Sequence, residues 1–141
     1  MVVIGVAALL ISVAIGGATV SSGFGEASPA SDAALIANFG QHRAQFARAV
    51  QQFAASGQVD AEPLDDLGLK PDDVLEYPRG VVTFTASSGG FTESGFSKGY
   101  AYSEKPLRPL VKSTDGYDGN GSFLVYRHIE GPWYIYYDVS V

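Results

Sequence analysis

YRHIEGPWYIYYD, residues 126–138, places four of the chain's eight tyrosines, its only tryptophan and one of its two histidines within thirteen positions. SFLVYRHI leads into Glu130-Gly131-Pro132 and WYIYYDVSV leads out, which reads as a β-hairpin. Where the hairpin turns decides which side chains share a face, because a one-residue slip inverts every assignment. A three-residue loop sets Ile129 opposite Trp133. One face then carries Phe123, Val125, Ile129, Trp133, Ile135, Tyr137 and Val139, with Arg127 in the row. The other carries Leu124, Tyr126, His128, Glu130, Tyr134, Tyr136 and Asp138. A two-residue Gly131-Pro132 loop instead sets Glu130 opposite Trp133 and drops His128 among Tyr126, Trp133, Ile135 and Tyr137. The three-residue register separates apolar from polar more cleanly and is the one predicted.

That register turns Tyr126, His128, Tyr134 and Tyr136 away from the core as a partly solvent-facing cluster. Tyrosine offers flat apolar area and a hydroxyl with little entropy to lose, as sugar or peptide recognition requires. The competing explanation is cross-strand aromatic pairing, which stabilises a sheet without binding anything.

Upstream, VVTFTAS alternates, Ser87-Ser88-Gly89-Gly90 reads as a turn, and SGFSKGYAYS is a second alternating run. Phe96, Lys98, Tyr100 and Tyr102 share one face of that run. Ser97, Gly99 and Ala101 make a smooth strip on the other, where another backbone or the helix can approach closely. KPLRPLVKSTDGYDGNG, residues 105–121, is a long loop.

DAALIANFGQHRAQFARAVQQFAAS spaces Ile36, Phe39, Phe46, Val50 and Phe53 along one helical stripe, interrupted only by Arg43. Ser31 or Asp32 caps its start and Gly57 ends it. The predicted fold is therefore α+β: one long amphipathic helix packed on an antiparallel sheet of about four strands, preceded by an apolar N-terminal helix.

That N-terminal segment, MVVIGVAALLISVAIGGATV (residues 1–20), holds no charge. As a helix it reaches about 30 Å, enough to cross a bilayer. A signal peptide, an uncleaved anchor and a buried helix compete; no Lys or Arg precedes the run, unlike most export signals. Residues 21–31 form a Gly/Ser/Pro linker, and 32–141 a single α+β domain. The expected location is outside the cytoplasm, periplasmic, extracellular or membrane-anchored.

Charge and composition narrow the partners. Fifteen acids against nine bases leave a net charge of −6, which disfavours nucleic acid. Without cysteine there is no disulfide, thiolate metal site or cysteine nucleophile. Residues 58–80 concentrate Asp60, Glu62, Asp65, Asp66, Asp72, Asp73 and Glu76 against Lys70 and Arg79, a local charge of −5 that reads as a solvated connector. Lys98, Lys105, Arg108 and Lys112 place four of the nine cations within fifteen residues, a candidate dock for an anionic partner.

No nucleophile elbow, metalloprotease helix or phosphate loop is present. If the protein is an enzyme, His128 with Asp138 or Glu130 would be base and orienting partner. Asp115 to Ser122 resembles a calcium loop only in part, with Phe123 and Ile129 where glycine and glutamate are required, so no metal and no cofactor is predicted. The leading expectation is a small exported or membrane-tethered, non-enzymatic binding domain. It would use Tyr126, His128, Tyr134 and Tyr136 together with Lys98, Lys105, Arg108 and Lys112. Its partner would be an envelope protein or cell-surface polymer, with the membrane itself engaged through residues 1–20 if they stay uncleaved. The alternatives are a hydrolase centred on His128 and a structural subunit of an envelope assembly.

Overall fold

A computed structural model describes residues 28–91 and 94–141; the apolar run 1–20 and most of the linker lie outside the described residues. Five antiparallel strands form one sheet in the order β1-β2-β3-β5-β4. They are β1 (Val74–Glu76), β2 (Val82–Phe91), β3 (Ser94–Tyr102), β4 (Phe123–Glu130) and β5 (Trp133–Ser140). The helices are α1 (Asp32–Gln41), α2 (Arg43–Ser56) and α3 (Ala61–Asp65). None of the described helices is long and apolar enough to cross a membrane.

The expected single long helix is absent. It breaks at His42, whose backbone lies at φ −133° and ψ 32° while its N–H bonds back to Phe39 O. Gly40 weakens the helix just ahead of the break. The His42 ring reinforces it, with Nδ1 donating to Asn38 O at 3.0 Å. The apolar stripe survives as two short segments. Leu35 and Phe39 from α1 and Phe46 and Ala49 from α2 are buried with Phe84, Tyr100, Trp133 and Ile135 of the sheet. Rings meet at centroid distances of 5.2 Å for Phe39–Trp133 and 4.6 Å for Phe46–Tyr100. Ser31 accepts from Ala34 N at 3.1 Å, and Gly57 closes α2 at φ 76°, a left-handed conformation that glycine adopts freely.

The sheet also differs from the expected four strands. The acidic connector supplies a fifth, β1, and Ser87–Gly90 belong to β2 rather than a turn. Ala86 is an extra residue in β2, since Thr85 pairs with Gly99 but Ser87 pairs with Lys98. At that bulge the β2 backbone presses onto Gly99, where a Cβ would collide with Phe84 O and stand 2.8 Å from Ala86 N. The smooth strip thus admits a neighbouring strand of the same sheet, not the helix.

The hairpin combines features of both registers weighed above. Its loop is the two-residue Gly131-Pro132, with Glu130 paired to Trp133. Ile129 is bulged, which restores His128 opposite Tyr134 and Tyr126 opposite Tyr136. Ile129 packs with the helix-side core, and Glu130 reaches Arg43 of α2 at 2.8 Å. A glutamate expected among the tyrosines is therefore tied to the helix layer.

Gly99→Ala is expected to lower stability by about 1–3 kcal/mol, because the bulged backbone has no room to retreat. A reduced urea midpoint with unchanged slope would register it.

Candidate functional site

The loop between β3 and β4 decides what the tyrosine face does. Leu107 packs against a second core cluster of Val81, Ala101, Tyr126, Tyr134 and Tyr136, on the side away from the helices. Pro109 to Val111 then run beside β4, with Val111 N donating to Tyr126 O at 2.8 Å and Tyr126 N donating to Pro109 O at 3.0 Å. Past that edge, Ser113 and Thr114 reach Asp32 at the start of α1, on the helix side. The loop wraps the sheet and covers part of the far face.

The expected open aromatic surface is accordingly closed. Tyr126, Tyr134 and Tyr136 are 2%, 7% and 5% exposed, so three of the four side chains placed outward by sequence are buried, although Trp133 lies under the helices as expected. Aromatic burial is worth more than hydration of that area, and the long loop supplies the cover. His128 alone remains exposed, its Nε2 bonded to Gly131 O at 2.9 Å and its ring edge-on to Tyr134 at 5.1 Å.

The postulated catalytic set does not converge. Glu130 is occupied by Arg43, which holds its carboxyl below the usual range. Asp138 pairs with Leu124, four residues along β4 from His128, a separation of about 13 Å.

Lys98 also leaves the surface group to which its sequence neighbourhood assigned it. It is 1% exposed and donates to Asp32 at 2.9 Å and to Asp115 at 3.1 Å, while Lys105, Arg108 and Lys112 remain exposed on the loop. Asp32, also 1% exposed, accepts in addition from Arg127 at 3.0 Å, Thr114 N at 2.8 Å, the Thr114 hydroxyl, and Ser113 at 3.3 Å. Burial alone drives a carboxyl upward. Here the hydrogen bonds from Thr114, Lys98 and Arg127 more than reverse that and hold Asp32 well below the usual carboxylate range. This cluster is structural: every buried side-chain polar atom in it has a partner within the protein.

On the same face a cleft of about 190 Å³ is lined by Leu75, Tyr77, Thr83, Thr85, Ser97, Leu124, Tyr126, Tyr136 and Asp138. The Tyr136 hydroxyl bridges Thr85 Oγ1 at 2.7 Å and Ser97 Oγ at 2.6 Å. Burial raises the Tyr136 hydroxyl. Burial, aided by the charges of Asp138 and Tyr77, pushes Tyr126 up to about 12. Asp138 is half-buried, and desolvation raises its carboxyl. Among the described residues no Lys, Arg or His lies within ion-pair distance of it. Leu75 and Tyr77 stand at the rim, 44% and 55% exposed.

Sequence reasoning found Tyr126, Tyr136 and Asp138 but missed Thr85, Ser97, Leu75 and Tyr77. The period-two alternation of β2 and β3 carried a signal for Thr85 and Ser97. Nothing local marked β1 as the wall. Among the described residues no group of three His, Asp or Glu is placed to hold a metal ion. No protein-family model, curated protein or solved structure matches this chain.

Buried Asp32 and half-buried Asp138 titrate in opposite senses. Asp32 contributes fully above the unfolded-chain pKa of roughly 3.9, and that contribution is lost as pH falls toward its depressed folded value. Asp32→Asn is expected to lose about 3–5 kcal/mol at pH 7 and to flatten the acid limb of stability measured by urea unfolding between pH 5 and 2. Asp138, with its carboxyl raised, weighs against folding while ionised, so Asp138→Asn should leave the neutral-pH urea midpoint equal or higher.

Proposed function

We propose that this chain is a small, non-enzymatic binding module, exported or tethered to a membrane through residues 1–20, whose contact site is the Tyr77/Tyr126/Tyr136/Asp138 cleft. An envelope protein or cell-surface polymer is the partner class. The observation that carries the reading is Asp138: a half-buried carboxylate set among tyrosine hydroxyls, without a cationic partner among the described residues. A carboxylate held this way disfavours folding, so its place is better explained by a ligand than by stability. The exposed apolar rim at Leu75 and Tyr77 adds surface that association would remove from water. The dispersal of His128, Glu130 and Asp138 favours binding over hydrolysis. The uncharged run 1–20 supports the location.

A photo-crosslinking residue placed at Leu75 of the full chain, in cells that make it, should yield a discrete adduct in the envelope fraction. The same residue at exposed Gln51, on α2, should not. Equal labelling from both positions, or none from Leu75, would remove the cleft from consideration. A reporter that folds only outside the cytoplasm, fused to the C-terminus of the full chain, should be active if the chain is exported.

A further inference from the structure

We infer that the cleft receives the ammonium group of a lysine side chain presented by a partner polypeptide; this rests on the cleft being the contact site. Its chemistry selects a cation. Of the three described carboxylates that are not exposed, Asp32 meets Lys98 and Arg127 and Asp73 accepts from Lys70 N, whereas Asp138 meets neither a cation nor a hydrogen-bond donor among the described residues. An incoming ammonium would supply the missing charge. Tyr77, Tyr126 and Tyr136 line the same space, and aromatic faces attract cations. The ammonium's three N–H donors suit acceptors spread over Asp138, Thr85 and Ser97.

The surroundings reinforce the sign. One wall is β1, which belongs to the acidic stretch 58–80, and the charge of Asp73 is felt at the Tyr136 hydroxyl. Phosphate or an acidic sugar would enter against that field.

Size and rim select a side chain on a polypeptide over a free ligand. The cleft, about 190 Å³, is below the roughly 300 Å³ at which small-molecule pockets begin. A free amine filling it would leave Leu75 and Tyr77 in water, whereas the residues flanking a lysine would cover them. β1 ends the sheet on this side, and among the described residues no strand pairs with its outer edge, so an extended chain can join it there.

The test is a titration of the isotope-labelled full chain, in non-ionic detergent, followed by amide chemical shifts. The probes are acetyl-Val-Lys-Val-amide, the same peptide with the lysine Nε-acetylated, and butylamine. The lysine peptide should give saturable shifts centred on Tyr77, Ser97, Tyr136 and Asp138. The acetylated peptide and butylamine should bind at least about tenfold weaker, a difference of roughly 1.4 kcal/mol. Asp138→Asn, with the rest of its spectrum retained, should weaken the lysine peptide as much. Equal binding of lysine and acetyl-lysine peptides would overturn the cation inference while leaving the binding role intact. Butylamine as tight as the peptide would overturn the polypeptide partner. If no probe produces a saturable shift in the cleft, the lysine inference and its premise both fall.

Discussion

A single buried carboxylate organises this structure. Asp32 lies at the first turn of α1, yet its side chain turns inward to accept from Lys98 on β3, Arg127 on β4, and Ser113 and Thr114 on the loop that wraps the sheet. An ion so placed costs several kcal/mol unless all its partners are present, and removing one partner strands the others. Ser31 makes this possible by taking over the capping role, which frees Asp32 for contacts more than 60 residues away in sequence. The network also bridges to Asp115, which accepts from both Lys98 and the Asp32 backbone N–H. Helix, sheet and loop are therefore joined through one carboxylate.

What that network secures is the path of the loop. Held at Thr114 on the helix side and at Val111 beside β4, the loop packs Leu107 against the far-face cluster that includes Tyr126 and Tyr134. The cleft opens on that same face, lined by side chains of all five strands and by Tyr77. Its character follows: the Tyr136 hydroxyl bonds to those of Thr85 and Ser97, and Asp138 is left half-buried beside them. Lys98 serves the core and is lost to the surface, so the exposed cations of the loop are Lys105, Arg108 and Lys112.

Two bulges set which side chains face which layer. At Ala86 the β2 backbone crowds β3, and only Gly99 accommodates it. At Ile129 an extra residue reconciles a two-residue turn with the face assignment of a longer one, and directs Ile129 to the helix-side core. Each adds one residue to one strand, a local change with long reach because strand side chains alternate.

Sequence by itself determined the apolar stripe of the helices, the β character of residues after Gly80, and the burial of Trp133. These follow from periodicity and alternation, which are properties of neighbouring residues. Tertiary structure alone decided the break at His42, the fifth strand drawn from an acidic connector, the burial of the tyrosines, and the recruitment of Lys98 and Asp32 into one ion network. The reason is common to all four. Tyrosine and lysine are compatible with water or with a covered face, and only the path of a distant loop says which. A carboxylate near a helix start reads as a cap until a cation from another strand is brought against it. Local pattern limits what each element can be; the partner across the core settles what each side chain does.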